Sequence, residues 1–234
     1  MKVVILCGGL GTRLSEETQK KPKPMVRVGK LPILHHIMNI YSQYGYKDFI
    51  IALGYKGNYI RKYFKNLNHK WKVQLVNTGQ KTLTGGRVLR LKKYLNSEEN
   101  FMLTYGDGVA DVDINKLVKF HLNHKKIASI TTVRPPVRFG ELKLKKSKVL
   151  SFKEKPQASS GWINGGFFVF NKKIIKLIKN DQIMLEREPL ENLARKKQLL
   201  AFKHKGFWQC MDSKKDLDLL NSICKKNNIP WIKI

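Results

Sequence analysis

Little in this chain suggests metal ribbons, disulfides or membranes. It has three cysteines, Cys7, Cys210 and Cys224, far apart and without metal-ligand spacing, so neither a disulfide framework nor a zinc site is expected. No run of about 18 apolar residues occurs, which excludes a membrane-spanning helix, and no membrane partner is expected. The amino terminus begins as a strand, not as a charged stretch leading into a hydrophobic signal, so a cytoplasmic protein is expected. Acidic residues are also scarce. Only 17 Asp and Glu face 46 Lys and Arg, and the resulting formal charge of +29 raises the question of a nucleic-acid partner. Against that partner, the lysines are scattered along the whole chain and no motif interleaves them with stacking aromatics. No specific nucleic acid is expected; the field should instead attract triphosphates and sugar phosphates.

What is present begins at residue 3. Val3-Val4-Ile5-Leu6-Cys7 is apolar without alternation and rich in β-branched residues, the pattern of a strand buried on both faces of a parallel sheet. Gly8, Gly9 and Gly11 follow, so the backbone can turn sharply and present several N–H groups to a phosphate. Neither the third glycine of a dinucleotide fingerprint nor the Gly-Lys-Ser/Thr of a P-loop is there. Arg13 adds a permanent forked charge. Lys23 lies between Pro22 and Pro24, which predicts an extended, rigidly held backbone at that lysine.

Further along, strands at 49–53, 73–76, 101–105 and 127–133 alternate with helical patterns at 32–41, 57–63 and 88–95. This alternation predicts βαβ units: an α/β, Rossmann-like doubly wound, mostly parallel sheet with helices on both faces. The periods of 141–144 and 149–152 predict a small antiparallel pair. Ligands collect at the carboxyl ends of parallel strands, so the loops after Cys7, Leu53, Val76 and Thr104 are expected to ring one site. Thr84 is placed to cap the helix that follows, with Gly85 and Gly86 allowing a close approach to a bound base. Asp107, between Gly106 and Gly108 just past a buried strand, is a candidate Mg²⁺ ligand. Asp111 and Asp113 read as turn and capping residues. Trp162-Ile163-Asn164-Gly165-Gly166 is an aromatic strand whose paired glycines mark a close approach, with Asn164 offering a donor and an acceptor. Asp212 ends a late strand, followed by Ser213 as a cap. No Ser-His-Asp spacing suggests hydrolysis.

Gly8-Gly9-Leu10-Gly11-Thr12-Arg13-Leu14 followed by Lys23-Pro24-Met25 resembles the signature of the sugar-nucleotide pyrophosphorylases, and Ser15-Glu16-Glu17-Thr18 with Lys21 to Val26 is similar to their glucose-1-phosphate cytidylyltransferases. The resemblance runs to about residue 213. It implies the nucleotide-diphospho-sugar transferase fold in a single domain over 1–234, with residues 1–125 as nucleotide-binding half and 126–234, including the antiparallel pair, as acceptor-binding half. It implies that CTP and a small phosphorylated acceptor, such as a sugar 1-phosphate, give a CDP-linked product and pyrophosphate. The nucleotide would be held by Leu6, Gly8, Gly9, Gly11, Thr12, Arg13, Thr78, Gly79, Thr84, Gly85 and Gly106; the acceptor by Gly140, Glu154, Lys155, Ile163 and Asn164. Arg13 and Lys23 would be catalytic, Asp107 and Asp212 would hold Mg²⁺, and the protein would form a homo-oligomer. Two departures stand out: the Phe64–Trp71 connection is short, and Glu141 and Cys210 replace a small residue and a proline. A non-sugar acceptor (an amino-acid amide, polyol or choline phosphate) therefore stays open, as does a basic nucleotide- or nucleic-acid-binding module.

Overall fold

The computed structural model describes residues 1–135, 141–145, 147–153, 161–226 and 228–232. In chain order, β1 (Val3–Cys7) leads through the short helix α1 (Ser15–Thr18) to a ribbon of β2 (Arg27–Val28) and β3 (Leu31–Pro32). Then come α2 (Ile33–Ser42), β4 (Asp48–Leu53), α3 (Gly57–Lys65), β5 (Lys72–Asn77), α4 (Thr84–Arg90) and α5 (Lys92–Leu95). Next are β6 (Asn100–Tyr105), β7 (Gly108–Ala110), α6 (Ile114–His124), β8 (Ala128–Val133) and the hairpin of β9 (Glu141–Lys145) and β10 (Lys148–Lys153). The chain closes with β11 (Ile163–Asn171), α7 (Glu188–Arg195), β12 (Leu199–Lys203), β13 (Trp208–Cys210) and α8 (Lys214–Lys225).

The main sheet runs β12-β8-β11-β6-β1-β4-β5. All its pairings are parallel except those of β11, which is antiparallel to both β6 and β8. The sheet buries both faces. Val3, Ile5 and Cys7 point into a core with residues of α2, α3, α6 and α8, while Val4 and Leu6 point into a second core with residues of α4, α5 and α7. Helices therefore cover both faces, as the unbroken apolar run of β1 requires.

Where the sequence pattern misled, packing explains it. Pro22 is extended, but Lys23 begins a single 3-10 turn over Lys23–Met25, closed by the Val26 N–H donating to the Lys23 carbonyl. Proline tolerates the first turn of a helix, and the turn buries Pro24 and Met25. Thr84 does not cap α4: its hydroxyl donates to Glu186 and accepts from the Leu185 N–H. Asp113 does cap α6, and Ser213 forms a reciprocal capping box with Asp216 at α8.

His121 on α6 is enclosed by Ser129 and Asn100, and burial first, then the neighbouring His124, pushes its pKa down to about 4. An unfolded chain would protonate it near ~6.5. Its contribution to stability is thus complete above that value and is lost as pH falls toward about 4. Thermal unfolding should show a falling midpoint over this window, and His121→Gln should flatten the slope by up to one proton; an unchanged slope would contradict the assignment.

Candidate active site

A cleft of about 650 Å³ opens at the carboxyl ends of β1 and β6. Because β11 runs antiparallel to β6, it is the beginning of β11, Ile163 and Asn164, that reaches the same edge of the sheet. The β7–β13 ribbon does the rest. Cys210 pairs with Gly108, and the Met211 N–H donates to the Asp107 carbonyl at 2.8 Å, which draws Asp212 to the side of Asp107.

Lys23 lies between these two acids, its ammonium donating to Asp107 Oδ2 at 2.7 Å and to Asp212 Oδ1 at 2.6 Å. Burial works against the lysine's charge, but the Asp107 field and the hydrogen bonds it donates to both carboxylates outweigh it and hold its pKa above the ordinary value. Ligand atoms of Asp107, Asp212 and Cys210 lie within 4.8 Å of one another. Two carboxylates against one ammonium leave a net negative charge, and the hard oxygen donors suit a divalent cation that takes its remaining ligands from phosphate and water. Burial and the adjoining acids push the Cys210 thiol pKa up, and a hard divalent cation prefers the two carboxylates to sulfur.

The glycine loop is shaped for its turn. Gly11 has φ +70°, and a Cβ there would meet Thr18 at 2.9 Å and Lys23 at 3.1 Å. The Thr18 hydroxyl lies 3.0 Å from the Gly11 carbonyl and pins the loop from below, while Gly9 opens onto free space. Leu6, Gly8, Gly9, Gly11, Thr12, Lys23, Thr84, Gly106, Asp107, Ile163, Asn164 and Asp212 all line the cleft.

Other residues expected at the site sit elsewhere. Thr78 is fully buried, donating to the Leu53 carbonyl at 2.7 Å, and neither it nor Gly79 lines the cleft. The loops after β4 and β5 are instead tied together by Arg87, which itself lines the cleft and whose guanidinium donates to Thr78 Oγ1 (2.7 Å) and to the carbonyls of Gly79 (2.8 Å), Gly8 (2.9 Å) and Leu53 (3.2 Å). Gly85 does not line the cleft, and its smallness is required by the backbone beside it: its Cβ would lie 2.7 Å from the Ile183 carbonyl, to which its N–H donates. Gly140, Glu154 and Lys155 lie outside the described residues, as does the side chain of Arg13.

Two residues escaped the sequence reading. Arg87 fills the space that a Cβ on Gly8 would need, and an arginine four residues before Leu91, on the buried stripe of a helix, was a usable signal. Glu186 lines the cleft and accepts from Thr84 and Tyr105. Nothing local marks it, since its partners come from distant elements.

Residues 2–217 match the nucleotidyl transferase family. The chain is 49% identical to the glucose-1-phosphate cytidylyltransferase of Salmonella typhimurium, over 99% of this chain and 98% of that protein, and 39% identical to a probable glucose-1-phosphate cytidylyltransferase of Bacillus subtilis over 99% of each. Both alignments run over 253 positions against the 234 residues here, so each relative carries residues that this chain lacks. Among solved structures, HddC from Yersinia pseudotuberculosis superposes with a TM-score of 0.76 at 29% identity, covering 97% of this chain and 99% of that one. The sheet and its added antiparallel pair are those of the nucleotide-diphospho-sugar transferase fold. With the match running almost end to end in sequence and in fold, the chain belongs to the nucleotidyl transferase family of enzymes.

Proposed function

We propose that this protein transfers CMP from CTP to a sugar 1-phosphate, glucose 1-phosphate in the first instance, releasing pyrophosphate and forming a CDP-sugar. Full-length similarity to glucose-1-phosphate cytidylyltransferases supports the base and the acceptor. The observation that carries the chemistry is Lys23 held between Asp107 and Asp212 beside the glycine loop.

An oxygen of the acceptor phosphate attacks the α-phosphorus of CTP; the bond from that phosphorus to the bridging oxygen breaks, and the electron pair leaves with pyrophosphate. Both reactants are anions, so the protein's task is to bring them together and offset their charge; no covalent intermediate is needed. The backbone N–H groups of the Gly8–Gly11 turn and Arg13 hold the β and γ phosphates. Lys23 faces the α-phosphate. Asp107 and Asp212 hold Mg²⁺, which when bound supplies Lewis-acid charge and a template for the triphosphate. Lys155 takes the acceptor's phosphate, and Asn164 and Glu154 take its hydroxyls. Residues 1–125 thus supply the triphosphate's contacts and 126–234 the acceptor's, with Asp212 the one residue of the second half that serves the triphosphate's metal, within one domain.

The test is pyrophosphate release with Mg²⁺ and each of CTP, UTP and dTTP across a panel of phosphorylated acceptors, including polyol, choline and amino-acid amide phosphates. CTP with glucose 1-phosphate should turn over fastest. A preference of about tenfold or more for another base or acceptor would replace this reading. Lys155→Ala should raise KM for the acceptor far more than KM for CTP, and equal rises would remove Lys155 from the acceptor site.

A further inference from the structure

Among the described residues that line the cleft, the reaction above leaves one carboxylate without a task, that of Glu186. We propose that Glu186 is a positioning residue for the acceptor: it fixes the direction of a hydrogen-bond chain, Thr84–Glu186–Tyr105–Asn164, so that Asn164 meets a sugar hydroxyl with a set donor and a set acceptor. The inference rests on the cytidylyltransferase reading and adds to it a residue that would not touch the reacting atoms.

The direction follows from what each group can give. An ionised carboxylate only accepts. Glu186 takes the Thr84 hydroxyl proton on Oε2 at 2.5 Å and the Tyr105 hydroxyl proton on Oε1 at 2.6 Å. With its proton committed, the Tyr105 oxygen accepts from Asn164 Nδ2 at 3.2 Å. At the other end of the amide, the Gly166 N–H, which can only donate, meets Asn164 Oδ1 at 2.8 Å. The two constraints agree, so the Asn164 amide has one orientation. It retains a second N–H and a second lone pair for a ligand in the cleft that it lines.

The backbone around Glu186 links the two halves of the cleft. The Leu83 N–H donates to the Asp181 carbonyl, and the Gly85 and Gly86 N–H groups donate to the Ile183 carbonyl, so residues 181–186 lie directly against the start of α4. Leu185 is anchored in the core beneath. Glu186 therefore reaches Tyr105 from a fixed base, and Tyr105 in turn packs against Gly166, where a Cβ would lie 2.8 Å from the ring.

Glu186→Gln keeps the shape but offers an NH₂ to a hydroxyl oxygen that already faces a donor, the Leu185 N–H at Thr84 or Asn164 Nδ2 at Tyr105. Tyr105→Phe keeps the ring packing and removes only the hydroxyl. Both variants and their combination should be assayed for kcat and for both KM values, using whichever acceptor the unmodified protein turns over best. Each single change should raise KM for the acceptor about tenfold, with KM for CTP moving less than about twofold and kcat falling less than KM rises. The double variant should be no worse than the worse single one, because both cut the same chain. Equal rises in the two KM values, a larger rise for CTP, no change in either, or additive losses would overturn the proposal. If the unmodified protein prefers another acceptor, the reading of its substrate falls while the KM ratio remains measurable; if it is inactive with every acceptor, both fall.

Discussion

Asp107→Asn should lower turnover by about a thousandfold while leaving the protein folded and the KM for CTP within a few-fold. Asparagine is the same size and keeps an oxygen that can accept from Lys23, so the 2.7 Å contact survives as a neutral hydrogen bond. What disappears is one of two negative charges that face each other across the lysine ammonium. With Asp212 alone opposite Lys23, the pair is neutral and a divalent cation has lost half of its anionic donors. Two measurements check this: pyrophosphate release at saturating CTP, and the Mg²⁺ concentration giving half-maximal rate, which should rise steeply. Wild-type turnover in the variant would remove the metal from these two acids.

Replacing Lys23 should have the second largest effect, and in two readouts of different kinds. Lys23→Ala removes the cation that separates Asp107 from Asp212, leaving two carboxylates side by side in a half-buried pocket. Their repulsion should cost about 2 kcal/mol of stability, below the ~3–5 kcal/mol of a fully buried broken pair because water still reaches both acids. The carboxylates remain a fifth to a quarter exposed, 24% for Asp107 and 22% for Asp212. Turnover should fall about a hundredfold or more, since no other described side chain places an ammonium at this point. Divalent cation should then stabilise the variant more than the parent, because Mg²⁺ would take over the charge that Lys23 supplied. Thermal unfolding with and without Mg²⁺ measures this directly. A variant that gains no more from Mg²⁺ than its parent would show that lysine and metal do not share the site.

The comparison of Asp107 with Thr78 shows what kind of residue could be read in advance. Asp107 follows a strand, stands between glycines and is acidic in a chain poor in acids, and each of those properties is local. Thr78 also follows a strand, and by the same rule it belonged in the cleft. It stays out of the cleft, buried where Arg87 of α4, which itself lines the cleft, donates to its hydroxyl oxygen and to the Gly8 carbonyl. The α4 glycines illustrate the same limit. Their smallness was visible, but the 181–186 backbone packed against them, which requires it, was not.

Local pattern was enough for the α/β alternation, the double burial of β1, the phosphate-ready turn and the presence of Lys23, Asp107 and Asp212, because apolar periodicity and glycine placement act over a few residues. Tertiary structure alone decided that strand β11 runs antiparallel, bringing Asn164 to the cleft by its first residues, and that the β7–β13 ribbon sets Asp212 beside Asp107. Those contacts join residues far apart in the chain, Asn164 with Tyr105 59 positions away and Cys210 with Gly108 across the ribbon, and their geometry depends on sheet register and side-chain packing, which no short stretch of sequence contains.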